Sequence, residues 1–162
     1  MGTKGIEVVG VNVEELIKML NAAVADEWLA FYQYWVGAKV IKGVLAKPVI
    51  AELNEHAQDE YRHADMLANR IIELGGEPII HPKKWFEETA CGYAAPENPD
   101  TKEILKQNIS GERCAIDAYK KLMDFTKDKD PVTYMMALEI FKDEIEHEDD
   151  LQNILEDIEK GL

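Results

Sequence analysis

The sequence predicts an all-α fold in which two helical hairpins, joined by a long crossover, pack as a four-helix bundle. Three observations carry this reading. In four segments the apolar residues return at alternating steps of three and four, the spacing that keeps one face of a helix in a core. The run Asp-Glu-x-x-His-x-Asp-x-Leu occurs twice, at residues 59–67 and 143–151. A lone glutamate precedes each copy at nearly the same interval, Glu27 lying 33 residues before Glu60 and Glu112 lying 32 before Glu144. The match extends to Ala30 and Tyr34 after Glu27 and to Ala115 and Tyr119 after Glu112, at offsets of three and seven. The chain therefore reads as a duplicated hairpin.

The first helix carries Leu16, Leu20, Ala23, Glu27, Phe31, Tyr34, Ala38 and Ile41 on one stripe and fades toward Gly43. The second opens near Lys47-Pro48, because proline is tolerated in a first turn. Its stripe is Ile50, Leu53, Ala57, Glu60, Ala64, Leu67, Ile71 and Leu74, and Gly75-Gly76 stops it. A crossover holding Pro78, Pro82, Pro96 and Pro99 follows; it is the only segment with room for a strand, and within it His81–Glu88 is a candidate short helix. The third helix shows Leu105, Ile109, Glu112, Ile116, Tyr119 and Met123. Asp130-Pro131 caps and opens the fourth, whose stripe is Ala137, Ile140, Glu144, His147, Leu151, Ile154 and Ile158.

Residues 1–162 are expected to form one domain, long enough to bury a core. With 32 Asp and Glu against 18 Lys and Arg, the formal charge of −14 disfavours nucleic acid and favours cations. No stretch approaches the roughly 20 apolar residues that span a bilayer, and no targeting segment opens the chain, so a cytoplasmic protein without a membrane partner is expected. Two cysteines, Cys91 and Cys114, are too few for a disulfide scaffold and form no Cys-x-x-Cys knuckle.

The chemistry lies inside the apolar stripes. Each helix places one glutamate there, and an unpaired buried charge costs several kcal/mol. Four converging carboxylates are tenable when two divalent cations stand between them, four positive charges against four negative. His63 and His147 follow Glu60 and Glu144 by three residues, so each Glu/His pair shares a helix face and reaches adjacent metals. The six residues Glu27, Glu60, His63, Glu112, Glu144 and His147 thus make a candidate dinuclear metal site, the plainer alternative being an interhelical polar network.

This set resembles that of the ferritin-like superfamily, and within it the bacterioferritins and the Dps-like ferritins with a bacterioferritin-type site inside each subunit. The resemblance covers nearly the whole chain. It implies a ferritin-like four-helix bundle and two iron ions per subunit, with Glu60 and Glu144 bridging and Glu27, Glu112, His63 and His147 as terminal ligands. Carboxylate and imidazole also accept manganese and zinc. Against the bacterioferritins, Tyr61 stands where the family carries its haem-ligating methionine, so no haem is expected. Only 15 residues follow His147, too few for the fifth helix of 24-subunit ferritins, so a homo-oligomeric shell of 12 is expected. The 52-residue interval from Glu60 to Glu112 leaves room for the short crossover helix of Dps-like shells. Cys91 and Cys114 resemble the paired thiols of the thioferritin group and are a candidate redox pair; two inert thiols are the alternative.

The activity implied is ferroxidation, Fe(II) being oxidised with hydrogen peroxide or O₂ and the product stored within the shell, with protection against oxidative stress. The alternatives are a di-iron or di-manganese peroxidase or catalase without mineral storage, and a DNA-compacting protein, for which residues 2–10 offer no basic arm. A substrate oxygenase ranks last. Tyr34 and Tyr119 are candidates for redox work or for hydrogen bonds to ligand carboxylates, with core packing the alternative. Asp65 and Asp149 are candidates to orient a neighbouring imidazole across helices. Glu52, Glu55, His56 and Asp59 are candidates for the inner face of the shell, although a solvated helix face is preferred for them. Trp28, Trp35 and Trp85 are expected at helix or subunit contacts, and His81 without chemistry.

Overall fold

The computed structural model describes residues 3–43 and 45–161. Four long helices form the bundle: α2 (Val13–Val40), α3 (Ala46–Glu73), α5 (Thr101–Thr126) and α6 (Pro131–Lys160). The helix α1 (Lys4–Glu7), absent from the sequence-based expectation, precedes them. In the crossover Pro82–Lys84 makes a 3₁₀ turn that runs into α4 (Trp85–Glu88), where the short helix was expected. Helices α2 and α3 pair as one hairpin and α5 and α6 as the other. Their ends follow local chemistry. Asn12 accepts from the Glu15 amide and Asp100 from the Lys102 amide, each satisfying one of the donors that a helix start leaves free. Gly75, at φ 80°, lies just past the end of α3 in the left-handed conformation that glycine adopts without strain.

Two apolar clusters fill the bundle. Leu16, Leu20, Leu67, Ile71, Tyr119, Leu122, Ala137 and Ile140 pack toward one end, and Tyr34, Leu53, Ile104, Leu105, Ile109 and Leu151 toward the other. The buried glutamates and histidines lie between them, walled from solvent by hydrocarbon on either side. The duplicated stripe is thus interrupted by a glutamate at this level in all four helices.

The crossover is sewn to α2 by polar side chains. Asn21 donates to the Glu77 carbonyl and accepts from the Ile79 amide. Asp26 accepts from Thr89 and from the Ala90 and Cys91 amides, and Gln33 accepts from the Ala94 amide. Trp85 of α4 stacks face to face on Trp28, ring centroids 5.3 Å apart, so two of the three tryptophans seat the short helix while Trp35 stays 43% exposed. A disulfide joins Cys91 to Cys114 on α5, which in chain-entropy terms restrains the unfolded chain by about 3 kcal/mol. The crossover is held to both hairpins.

Asp130 locks the start of α6. It accepts from the Thr133 amide as the cap of the helix and from the Arg70 guanidinium of α3 through both oxygens, and it is 2% exposed. Burial works to raise its pKa, but the Thr133 and Arg70 bonds outweigh it and hold the carboxyl below its usual value of 3.8. Asp130→Ala leaves Arg70 charged and nearly buried, so it is expected to cost about 3 kcal/mol in denaturant unfolding. Because the folded-state pKa is the lower one, the contribution is full above the unfolded value and is lost as the pH falls below about 4. A loss under about 1 kcal/mol would show that the pair is not a stabilising contact.

Candidate metal centre

The six residues singled out in the sequence converge. Each glutamate occupies the core-facing stripe of its own helix, and the Glu-x-x-His spacing sets each imidazole one turn along from its partner. Glu27, Glu60, Glu112, Glu144, His63 and His147 are all at most 4% exposed. They form two nests. In one, His63 Nδ1 lies 3.5 Å from Glu27 Oε2, 3.3 Å from Glu60 Oε2 and 3.1 Å from Glu144 Oε1. In the other, His147 Nδ1 lies 3.6 Å from Glu60 Oε1, 3.9 Å from Glu112 Oε2 and 3.4 Å from Glu144 Oε2. Glu60 and Glu144 turn one oxygen to each nest, whereas Glu27 and Glu112 belong to one nest each.

The tyrosines cap the outer carboxylates. Tyr34 on α2 donates to Glu112 on α5, and Tyr119 on α5 donates to Glu27 on α2. The two repeats therefore exchange phenols, and of the readings the sequence left open, hydrogen bonding to these carboxylates is the one the geometry contains. Both phenols are pushed well above their usual pKa, by burial first and then by the carboxylates they face. They are neutral donors.

Without cations the charges are met by protons. Burial, then the charges of Glu60 and Glu144, raise Glu27 well above the ordinary glutamate value; burial, then Glu144 and Glu60, do the same to Glu112. Burial also works against Glu60 and Glu144, but the two imidazoles beside them, with their glutamate neighbours, reverse the outcome and hold them low. For the histidines burial favours the neutral ring, and the carboxylates overcome it. His63 is driven far up and His147 to about 10. Two imidazolium charges thus offset two carboxylates. Even so, both Glu144 oxygens and His147 Nδ1 lack a well-formed hydrogen bond, an uncommon state for buried polar atoms. Four carboxylates and two imidazole nitrogens aimed at two points, with such atoms left over, fit a pair of divalent cations.

The Ferritin-like domain family model matches residues 17–161. The chain belongs to the ferritin-like family. This ferritin-like chain is 45% identical in sequence to the dodecameric thioferritin of Bacteroides fragilis, a bacterioferritin-related protein, and superposes on its structure with a TM-score of 0.97 over 98% of this chain and 96% of that one. It is 38% identical over 145 residues to the DNA protection during starvation protein of Pyrococcus furiosus, covering 88% of this chain and 78% of that relative. It also resembles the Rhodobacter capsulatus bacterioferritin, a protein with a dinuclear site and haem iron, at 26% identity and a TM-score of 0.78, over 93% of this chain and 89% of that one.

Around the six residues lies an outer layer in which the sequence expectation needs correcting. Asp65 and Asp149 do not approach the imidazoles. Both are exposed, and each accepts from the asparagine one turn on, Asp65 from Asn69 and Asp149 from Asn153. The first aspartate of each repeated run takes the orienting place instead. Asp143 Oδ2 lies 3.0 Å from His63 Nε2, and Asp59 Oδ2 lies 3.5 Å from His147 Nε2. Standing four residues before the histidine of its own helix, each of these aspartates comes level with the partner repeat's histidine, while one two residues beyond its own histidine rotates outward.

Arg62, which sequence reading passed over, ties the aspartates together. Its Nη2 donates to Asp59 at 3.1 Å and to Asp143 at 2.7 Å, so one guanidinium steadies the orienting partners of both imidazoles. Such outer contacts set ring orientation and basicity. Arg62→Ala is expected to weaken anaerobic metal binding by about 10–100-fold with the helical content unchanged. Unaltered binding would remove Arg62 from the centre.

The centre opens on two sides. Between α2 and α5 a cavity of about 480 Å³ reaches Glu27, Glu60, Glu112 and Glu144 beneath the crossover residues Cys91–Ala94. Ala30 and Ala115, the repeated small residues, line it. Gln33 donates to Asn108 at its wall. Between α3 and α6 a smaller cavity of about 100 Å³, rich in carboxylates, reaches His147. Neither Tyr61, which is 54% exposed and packs edge-on to Trp28, nor the exposed His81 takes part. Among the described residues no helix is long and apolar enough to cross a membrane.

Proposed function

We propose that the chain is a ferroxidase and iron-storage subunit of a hollow homo-oligomeric shell, oxidising Fe(II) with hydrogen peroxide or O₂ at its intrasubunit centre and so protecting against oxidative stress. The observation that carries the reading is the sharing of Glu60 and Glu144 between two otherwise separate carboxylate–imidazole nests. Two Fe(II) substrates are taken side by side, each with one imidazole, one outer carboxylate and half of each shared one. One electron leaves each, so a pair reduces one peroxide with two protons to two waters, or one O₂ with two protons to one peroxide. The same residues accept manganese and zinc; iron is proposed from the family. A shell of twelve is proposed from likeness to the dodecameric Bacteroides fragilis protein.

The chain's own groups supply positioning and proton control. Tyr34 and Tyr119 hold Glu112 and Glu27 against the cavity wall, while Asp143 bonds His63 Nε2 and Asp59 faces His147 Nε2, so that Nδ1 of each ring is turned inward. The apolar clusters on either side exclude water and strengthen every charge contact within. The 480 Å³ cavity gives a small oxidant direct access to all four carboxylates. The Cys91–Cys114 disulfide, of which Cys91 lines that cavity, is proposed as a redox pair that an external dithiol reduces, two electrons and two protons converting the bond to two thiols.

The test is stopped-flow absorbance of anaerobic protein loaded with two Fe(II) per subunit and mixed separately with O₂ and with peroxide. Fast ferric formation followed by uptake of iron well beyond two per subunit is the expected result. Many turnovers of peroxide without such uptake would replace storage by a peroxidase or catalase. Affinity for duplex DNA at physiological salt would support compaction, against which the net charge of −14 argues.

A further inference from the structure

Helix α3 carries a third histidine that the centre does not use. His56 is 2% exposed, yet neither ring nitrogen has a hydrogen-bond partner. An unpaired polar group in that setting costs about 1–3 kcal/mol, so an imidazole kept there calls for a reason. Its Nε2 points into the smaller cavity, 3.3 Å from Glu52 Oε1 and 4.0 Å from Asp150 Oδ2. Glu52 lies one turn before His56 on α3, the spacing that brings two side chains to one face, and Asp150 comes across from α6.

The internal duplication sharpens the point. The two copies of the repeated run are offset by 84 residues, Glu60 matching Glu144. At that offset His56 matches Ile140, Glu52 matches Met136 and Asp150 matches Met66. Ile140 is fully buried in the apolar core. The bundle therefore tolerates hydrocarbon at all three places, and packing alone does not call for an imidazole between two carboxylates. In this half of the molecule the repeat has been broken, at three residues that meet in space.

We propose that Glu52, His56 and Asp150 form a third metal-binding site, taking one divalent transition-metal cation. The chemistry suits it: two carboxylates balance the charge of a divalent ion, and an imidazole nitrogen selects a transition metal over calcium or magnesium. The separations fit as well. Bonds of about 2.0–2.2 Å place neighbouring donor atoms about 3–3.5 Å apart and opposed ones about 4 Å apart, the range spanned by His56 Nε2 and its two carboxylates. Arg62, the cation in the same cavity, is already engaged by Asp59 and Asp143. His56 also stacks on His147, ring centroids 4.0 Å apart, so the third ion sits next to the dinuclear centre on the side away from the disulfide. If that centre is a ferroxidase, the site is a station for iron on the α3–α6 side. Only this role rests on the proposed function.

The experiment is anaerobic equilibrium dialysis of the intact protein against Zn(II), with anomalous diffraction from Zn-soaked crystals. His56→Phe removes both nitrogens and keeps a ring against His147; Glu52→Gln with Asp150→Asn removes the carboxylates and keeps the histidine. Each variant is expected to bind one Zn(II) per subunit fewer than the unaltered protein, with loss of an anomalous peak about 2 Å from His56 Nε2. Glu144→Ala, which disrupts the dinuclear centre, is expected to retain that peak, so failure of the ferroxidase reading leaves this result standing. Equal zinc content in the unaltered protein and both variants, or no peak at His56, overturns the third site.

Discussion

Glu144→Ala is expected to lower the initial rate of Fe(II) oxidation by at least about a hundredfold, an effect matched in the centre only by Glu60→Ala, the other shared carboxylate. Its two oxygens face different nests, toward His63 and toward His147, so one change removes a donor from both positions. Loss of a partner that merely orients a metal ligand costs about 10–100-fold; a comparable factor at each of two positions multiplies to about 10²–10⁴. Glu112→Ala touches a single nest and is expected to fall between this variant and the unaltered protein. Folding should survive, because alanine favours the helix and neither Glu144 oxygen has a well-formed hydrogen bond to lose. Stopped-flow rates beside far-ultraviolet circular dichroism make the check, with the exposed Glu159→Ala as control. A rate within threefold of control, in a folded protein, would sink the shared-carboxylate centre.

The parts of this arrangement that the sequence made legible are those governed by period. Glu27, Glu60, Glu112 and Glu144 stand at core positions of an apolar stripe, and all four are buried; Asp130-Pro131 reads as a helix start and is one. Contacts between elements were harder to place. Asp59 and Asp65 flank the same histidine, and which of them serves an imidazole depends on the rotation of α3 against α6. The choice falls to Asp59, on the facing helix's histidine. Arg62 carried no signal, because its partners lie 3 and 81 residues away. His56 misled for a different reason: its neighbours Glu52, Glu55 and Asp59 suggest a solvated face, yet one turn of α3 carries both the exposed Glu55 and the buried His56. The Cys91–Cys114 bond could be suggested only by likeness to the thioferritins, since no local period relates a crossover residue to a helix.

Loading the metal-free protein anaerobically with two divalent cations per subunit at pH 7 is expected to release about four protons per subunit. The cations need four ionised carboxylates and two neutral imidazoles, since each donor binds through a lone pair that a proton would occupy. Without them the centre is neutral in another way. His63 and His147 carry protons, their pKa values raised by the surrounding carboxylates, and Glu27 and Glu112 carry protons because burial and the charges of Glu60 and Glu144 oppose their ionisation. Four protons leave and four positive charges arrive. The sign follows: protons compete with metal, so affinity rises with pH, and the overall constant for filling both positions should change by about 10⁴ per pH unit. The rise should continue past neutrality, with His147 giving up its proton near pH 10 and His63, raised further, still carrying one there. Proton uptake or release in weakly buffered dye solution, or calorimetry in two buffers of different ionisation enthalpy, gives the count. A release of two would mean that Glu27 and Glu112 are already ionised at pH 7. A release near zero would mean that the imidazoles are neutral without metal, and the picture of protons holding the place of cations would fall.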